Sequence, residues 1–250
     1  MLVALAVAVP FILLTAGIVW KLAANEREAH VRLIMRELSH RSKNLLAIVL
    51  AIARQTARHT SSFDDFEGRF SSRIQALADA HDLLVEQQWG GALLHDLVNA
   101  QLSAFGIEKV VCHGDPIMLR AEAVQNVALA LHELATNASK YGALSAPNGK
   151  VTVDWAMQQA ESGERALCLT WRESGGPRVS PPAQKGFGCF VLERVTVNAL
   201  GEGRLEFDPA GLMWTCTIRA EHLVDGAAVA GERPPTAKPA QQPELHQRAS

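Results

Sequence analysis

His40 is the first residue whose type and surroundings could do chemistry. It lies in residues 37–44, which read ELSHRSKN, and the apolar stripe of the predicted helix leaves this position on the opposite, exposed face. A neutral imidazole, with a reference pKa of about 6.5, can attack an electrophilic phosphorus at neutral pH. Arg41 and Lys43 could then neutralise the incoming phosphate charge. The alternative is a histidine in an ordinary solvated patch.

A second polar group falls on a predicted helix over residues 121–141. Residues 132–144 read HELATNASKYGAL, and an apolar stripe on one face leaves four side chains on the other, namely Glu133, Asn137, Lys140 and Tyr141. These types suit a nucleoside triphosphate, because an amide oxygen can ligate Mg²⁺, an ammonium can hold phosphate and an aromatic ring can stack on a base. The same residues could also form an ordinary polar helix face.

Two glycine-rich strings follow. Residues 171–177 read WRESGGP, which places Glu173 at the end of a predicted strand with Gly175 in the turn beyond it. Residues 186–188 read GFG and open a predicted helix. Glycine permits close backbone approach to a ligand, and a helix N-terminus is a natural phosphate site. Either string taken alone could be a simple turn.

Two long helices must position His40. Residues 22–88 contain no proline and one glycine, Gly68, and their apolar residues recur at spacings of three and four. Residues 60–62, Thr-Ser-Ser, mark the join, and Asp64 and Asp65 fall in the first turn of the second helix, where acidic side chains suit the helix dipole. This pattern predicts a helical hairpin that pairs with a second hairpin in a four-helix dimer.

The other candidate residues are predicted to lie on a domain that contains both helices and strands. Strands are expected at residues 109–113, 150–157, 166–173, 204–208 and 213–220, and helices at 93–102, 121–141 and 187–200. Helices on one side of a mostly antiparallel sheet give an α+β fold. Residues 223–250 are rich in proline and small polar residues and are predicted to be a disordered tail.

Residues 2–20 contain no charge, and Lys21 ends this run. At about 1.5 Å per helical residue, the run just crosses a hydrocarbon core of roughly 30 Å. A cleaved signal peptide is the alternative, but no positive residue precedes the apolar run. We therefore expect a single-pass transmembrane helix in the inner (cytoplasmic) membrane, with the later residues held in the cytoplasm by the positive-inside bias.

Composition excludes several classes of protein. The 250 residues are 20% charged with a net charge of -2, so a polybasic nucleic-acid binder is not indicated and no nucleic-acid partner is expected. No pair of cysteines has the spacing of a zinc site or suggests a disulfide framework, which fits a reducing compartment. The cysteines are Cys112, Cys168, Cys189 and Cys216.

In this order, these strings closely resemble the HWE family of bacterial sensor histidine kinases. The resemblance covers about residues 33–220, and the family is named for a histidine and a Trp-x-Glu pair, which here are His132, Trp171 and Glu173. The strings that carry it are residues 37–44, 80–84 (AHDLL), 132–144, 171–177 and 186–188.

The resemblance implies an α+β protein with a dimerisation and phosphoacceptor hairpin and a Bergerat-type, gyrase-like ATP-binding α/β sandwich. The expected domains are a transmembrane helix over 1–21, the hairpin over 22–89, the ATP-binding domain over 90–222 and the tail over 223–250. The implied cofactors are ATP and Mg²⁺, and the implied partners are a response-regulator receiver domain and a second copy of the chain.

The resemblance also implies roles for single residues. His40 would be phosphorylated, Glu133 would polarise the attacking imidazole or a nearby water, and Glu173 would accept from the adenine amine. The remaining ATP-binding residues would be Asn137 as the magnesium ligand, Lys140 on phosphate, Tyr141, and Gly175, Gly186 and Gly188 around the lid. His132 and Trp171 are diagnostic of the family without an assigned role.

Two other functions remain open from the sequence. The first is a scaffold or phosphotransfer protein that docks a response regulator and whose ATP site has decayed. The second is a gyrase-like ATPase that uses hydrolysis for mechanical work, in which His40 would have no role. Magnesium-dependent nucleotide binding separates the scaffold from the kinase.

Overall fold

The structure is a computed structural model that describes residues 20, 21, 32, 35, 36, 39, 42, 43, 45–159, 163–182 and 186–224. His40 and Arg41 lie outside these residues, as does most of the predicted tail. The chain divides into two compact units, residues 1–70 and 71–250.

In the first unit, residues 45–58 form helix α1, and α2 (Phe63–Glu86) begins after a short break. The Ser62 hydroxyl accepts from the backbone N–H of Asp65 at 3.2 Å, which satisfies one of the donors that every helix start leaves free. Asp64 and Asp65 lie in the first turn of α2. The predicted join between the two helices is therefore placed correctly.

The second unit contains most of the regular structure. Its helices are α3 (Leu94–Leu102), α4 (Ala121–Lys140), α5 (Phe187–Phe190) and α6 (Thr196–Leu200). Its strands are β1 (Ala92–Leu93), β2 (Val110–His113), β3 (Met118–Leu119), β4 (Lys150–Gln159), β5 (Arg165–Ser174), β6 (Gly201–Asp208) and β7 (Gly211–Arg219). These elements agree with the α+β fold that the sequence predicts.

Five strands form the main sheet in the order β2-β4-β5-β7-β6. Only the β2 and β4 pair is parallel, and the other three pairs are antiparallel. Along β7, half-buried and buried residues alternate, as expected for a sheet that is covered on one face. Trp171 of β5 lies opposite Trp214 of β7, and both side chains are fully buried in the core.

Helix α4 covers the sheet together with α3 and α6, against which it packs. Twelve of its twenty residues are buried, because its small and aliphatic residues face the core on nearly every turn. Its buried stretch runs from Ala123 to Ala138 and includes two polar residues, His132 and Glu133. Because a buried polar group needs a partner, His132 and Glu133 are candidates for a functional site.

The predicted transmembrane helix over residues 1–21 is wrong, and so is the single-pass location in the inner membrane. Within the residues that the structure describes, no helix is long and apolar enough to cross a bilayer. A span needs about 20 consecutive apolar residues, whereas α2, with 24 residues, carries charges along its length and is amphipathic. Residues 1–19 of the predicted span lie outside the described residues.

The predicted helix over residues 187–200 is not a single α-helix. A π-helical segment, Val191–Val195, separates α5 from α6. The buried hydroxyl of Thr196 donates to the carbonyls of Val191 at 3.1 Å and Leu192 at 2.8 Å, and the Trp214 indole N–H donates to Leu192 at 3.3 Å. Such side-chain hydrogen bonds stabilise a local departure from the α-helical ladder that apolar periodicity does not reveal.

Candidate functional site

The polar face of α4 carries two of the predicted site residues one turn apart. Glu133 is 4% exposed and Asn137 is half-buried, and their spacing of four residues places both side chains on one face. Lys140 and Tyr141 lie at the end of the same helix and are exposed, Tyr141 at 73%. These four residues, here called the polar row of α4, are thus buried at Glu133 and exposed at Lys140 and Tyr141.

Gly188 lies directly against this row. A Cβ atom at Gly188 would be 2.9 Å from Nδ2 of Asn137 and 3.3 Å from Oε2 of Glu133. A larger residue would displace the ends of these two polar side chains, so glycine lets the backbone of α5 approach them closely. The second glycine of the Gly-Phe-Gly string thus meets the carboxylate and the amide predicted to face the triphosphate.

Gly186 behaves differently from Gly188. A Cβ atom at Gly186 would meet nothing within 4 Å, and its backbone φ is -81°. Neither space nor backbone conformation requires glycine there. The structure therefore gives no steric reason why the residue at position 186, predicted to be part of the ATP site, must be a glycine.

Glu173 lies at the end of β5 and is 5% exposed. One of its oxygens accepts from the backbone N–H of Ala143 at 2.8 Å, and the other accepts from the indole N–H of Trp171 at 3.2 Å. Burial raises the pKa of this carboxyl group, and the two neutral donors partly offset that effect. Trp171, diagnostic of the family but unassigned from sequence, holds the carboxylate from its own strand.

Gly142 makes room for the Glu173 side chain, and Gly175 allows the tight turn that follows β5. A Cβ atom at Gly142 would overlap Oε2 of Glu173 and lie 2.9 Å from Cα of Ala138. Gly175 has a φ of +68°, a left-handed conformation that glycine adopts without strain, and a Cβ atom there would lie 2.6 Å from the carbonyl oxygen of Asn148. Gly142 was not among the predicted site residues, although it follows the helix end in the string that contains Asn137.

His132 connects α4 to α2 and to the segment after α3. Its Nε2 lies 2.8 Å from the Ser72 hydroxyl, and its ring meets Phe105 edge to face with centroids 5.9 Å apart. Burial lowers the pKa of this imidazole, so it is neutral at pH 7 and can exchange a single hydrogen bond with the hydroxyl. The structure thus gives His132 a packing and hydrogen-bonding position, next to but not within the row of Glu133 and Asn137.

Arg73 of α2 is a site residue that sequence reasoning missed. It is 6% exposed, and its Nε and Nη2 donate to the two oxygens of Glu133 at 2.6 and 3.2 Å. The guanidinium carbon also lies 3.8 Å from the centroid of the Phe187 ring. The sequence did contain a signal for this residue. Arg73 lies three residues after Phe70 and four before Leu77, so the apolar spacing of α2 predicts that it is buried.

The donor set near Asn137 fits a magnesium ion only in company with phosphate. Among the described residues, no group of three His, Cys, Asp or Glu side chains could hold a metal by itself. Mg²⁺ commonly uses one or two protein oxygens, substrate phosphate oxygens and water. The amide oxygen of Asn137 suffices as that protein ligand, and bound magnesium would supply charge neutralisation to the triphosphate.

The five-stranded sheet, the buried helix α4 and the close approach of Gly188 to Asn137 and Glu133 define a histidine kinase type of nucleotide-binding domain. Residues 107–199 match the family model described as the histidine kinase-like ATPase domain, which implies the use of ATP. Residues 37–116 match the model described as HWE histidine kinase. The chain belongs to the HWE family of histidine kinases, which confirms the prediction from the motifs.

The relatives carry consistent names. Blue-light-activated histidine kinases of Brucella ovis and Brucella abortus are 36% identical over 205 residues, which is 80% of this chain and 42% of theirs. That of Brucella anthropi is 36% identical over 190 residues, covering 74% and 38% respectively. The chain thus spans less than half the length of the relatives that it matches.

A solved structure is also similar. The blue-light activated histidine kinase EL346 of Erythrobacter litoralis aligns with a TM-score of 0.49 and 20% identity, over 73% of this chain and 57% of that chain. Because this score is below 0.5, the family assignment rests on the sequence matches.

Proposed function

We propose that this protein transfers the γ-phosphoryl group of Mg²⁺-ATP to His40 and that a receiver-domain aspartate of a response regulator then takes it. The observation that carries this proposal is the meeting of Glu133, Asn137 and Gly188 within about one side chain's reach of each other. These are a carboxylate, an amide oxygen and an open backbone, the three features needed beside a triphosphate.

The opposite end of the site suits adenine. Glu173 is a buried acceptor whose two oxygens are already oriented by the N–H groups of Ala143 and Trp171. Each carboxylate oxygen has a second lone pair, so Glu173 can still accept from an exocyclic amine. Gly142 lets the backbone after α4 pass close to it. We assign Glu173 to the base and the row on α4 to the phosphates.

In the transfer step, an imidazole nitrogen of His40 forms a bond to the γ-phosphorus while the bond from phosphorus to the bridging oxygen breaks. ADP leaves, and the imidazole loses its ring proton to a base, a role that we propose for Glu133. In the second step, the phosphorus–nitrogen bond breaks as an aspartate oxygen attacks. Both steps depend chiefly on positioning and charge neutralisation.

The direct test uses purified protein, ATP labelled at the γ-phosphate and magnesium. Wild-type protein is expected to form an acid-labile, base-stable phosphoprotein, and His40→Ala is expected to form none. Glu133→Gln should bind nucleotide but transfer about a hundredfold more slowly, because a positioned proton acceptor contributes a factor of that order.

The matched control is Glu122→Gln, which alters an exposed carboxylate in the first turn of the same helix and should behave as wild type. Label that persists in His40→Ala would show that the acceptor is another residue. If wild-type protein shows no magnesium-dependent nucleotide binding, the docking scaffold replaces the kinase. ATP hydrolysis without phosphoprotein would favour the mechanical ATPase.

A further inference from the structure

Arg73 touches two parts of the candidate site with one side chain. Its guanidinium makes two hydrogen bonds to Glu133, and the carbon of the same group lies over the Phe187 ring, 3.8 Å from the ring centroid. Phe187 stands between the two lid glycines and is 5% exposed, and it is the first residue of α5. The proton-accepting candidate and the start of the lid are therefore held by a single group of α2.

Arginine is suited to this position by its shape. The guanidinium is planar and always charged, so it can pair with both oxygens of a carboxylate and also stack on an aromatic ring. A lysine would supply the positive charge, but it has neither the paired N–H donors that match a carboxylate nor a planar group that can stack on a ring. The two hydrogen bonds fix the plane of the Glu133 carboxylate.

Stability alone does not explain a buried arginine here. α2 already buries an apolar stripe made of Ala76, Leu77, Ala80 and Leu84. Replacing a buried ion pair by packed apolar residues is often neutral or stabilising, so a further apolar residue would serve the packing equally well. A polar residue that contacts both Glu133 and the lid instead indicates a role in the reaction.

We propose that Arg73 is a positioning residue for phosphoryl transfer, which acts through Glu133 and Phe187 rather than on the substrate. This inference rests on the proposed function of the same site. Arg73 fixes the orientation of the Glu133 carboxylate and holds Phe187, the first residue of α5, against α2. Its loss should slow the transfer step far more than it weakens nucleotide binding.

The test compares Arg73→Gln, Arg73→Lys and a matched control, Arg69→Gln. Arg69 lies one turn earlier in α2, is 45% exposed and pairs with Asp65. For Arg73→Gln we expect a fall in kcat for phosphohistidine formation of about tenfold or more, with the KM and Kd for ATP changed by less than about threefold. Arg73→Lys should recover part of the rate, and Arg69→Gln should match wild type.

A second variant tests the lid contact. Phe187→Leu keeps an apolar residue but removes the flat ring under the guanidinium, so it should lower kcat while leaving the Glu133 ion pair intact. It also keeps the proposal testable if Arg73→Gln does not fold, as does Arg73→Lys, which retains the charge.

Several results would overturn the proposal. If Arg73→Lys and Phe187→Leu each had the wild-type rate, neither the paired N–H donors of the guanidinium nor the aromatic ring would be needed. Parallel loss of nucleotide affinity and rate would show a structural role, and a faster rate in Arg73→Gln would show that Arg73 restrains the site. A wild-type protein without phosphohistidine would contradict the proposed function itself, whereas an active wild type with an unchanged Arg73→Gln would contradict this inference alone.

Discussion

Glu133 and Glu173 are both buried carboxylates, but their neighbours differ. Glu133 meets the charged guanidinium of Arg73, whereas Glu173 meets two neutral N–H donors. Burial therefore raises the pKa of Glu173. Two carboxylates in contrasting surroundings can take separate roles in one site, which is consistent with one acting near the phosphates and the other holding the base.

Glu173→Gln tests the adenine role. The amide retains one acceptor oxygen and replaces the other with a donor, which would face an N–H group or the adenine amine. A hydrogen bond to a charged group contributes about 1.5–3 kcal/mol, so ATP affinity should fall by roughly tenfold or more. Titration calorimetry measures this, with Glu202→Gln on an exposed position of β6 as the control. Unchanged affinity would remove Glu173 from the base site.

The same variant tests the raised pKa. The ordinary value is 4.5, and the folded protein holds the proton more tightly than the unfolded chain. The stability that protonation contributes is fully present below the ordinary value and is lost as pH rises through the raised value. The unfolding free energy of wild type relative to Glu173→Gln should therefore decline over that interval. A difference that does not change with pH would contradict the assigned burial effect.

At the scale of elements, the segment after Gly186 is the part of the second unit that departs most from a regular helix. A short α-helix, a π-helical turn and another short α-helix follow each other within residues 187–200. π-helical turns often occur at functional sites. Here the turn places the Leu192 carbonyl within reach of both Thr196 and Trp214, which fixes the end of this segment against β7.

Substitution by alanine should have different effects at Gly186 and Gly188. In Gly188→Ala the added Cβ would displace the ends of the Asn137 and Glu133 side chains, so magnesium-dependent ATP affinity should fall, whereas the unfolding free energy should change by less than about 1 kcal/mol because both side chains can shift. In Gly186→Ala the added Cβ meets open space, so stability should be unchanged within about 0.5 kcal/mol. Denaturant unfolding measures the stabilities, and titration calorimetry measures the ATP affinities. Equal ATP affinities in the two variants would contradict the close approach at Gly188.

At the scale of the whole molecule, two exposed leucines of α1 offer a surface for the predicted dimer. Leu46 and Leu50 lie one turn apart and are 60% and 55% exposed in the first unit. Burying a leucine contributes about 1.5–3 kcal/mol, so two such residues favour pairing with a second copy. The homodimer predicted from the helical hairpin remains a prediction that this face makes testable.

Leu46→Glu combined with Leu50→Glu should weaken dimerisation. The loss of two buried leucines would cost about 3 kcal/mol or more, which is at least roughly a hundredfold in the dissociation constant. Sedimentation equilibrium measures the association constant directly. The control, Ala51→Glu, adds a charge at an exposed position about 100° around the helix from Leu50. A wild-type protein that is monomeric at all concentrations would contradict the prediction.

Much of the site was visible in the sequence because it depends on local spacing. Glu133 and Asn137 share a face through a separation of four residues, and Glu173 follows a strand whose pattern alternates. The two helices after residue 45 and the five strands of the main sheet were also placed by periodicity. The predicted membrane helix was wrong, because no helix among the described residues is long and apolar enough for a span.

The sequence by itself determined the family, the order of the elements and the polar row on α4, since each follows from motifs or from a repeat of two or of three to four residues. Only the tertiary structure decided that Arg73 pairs with Glu133 and that Ser72 meets His132, each across 60 positions of the chain. It likewise placed the N–H of Ala143 against Glu173, across 30 positions. Contacts between residues so far apart depend on how helices and strands pack, and no local pattern encodes them.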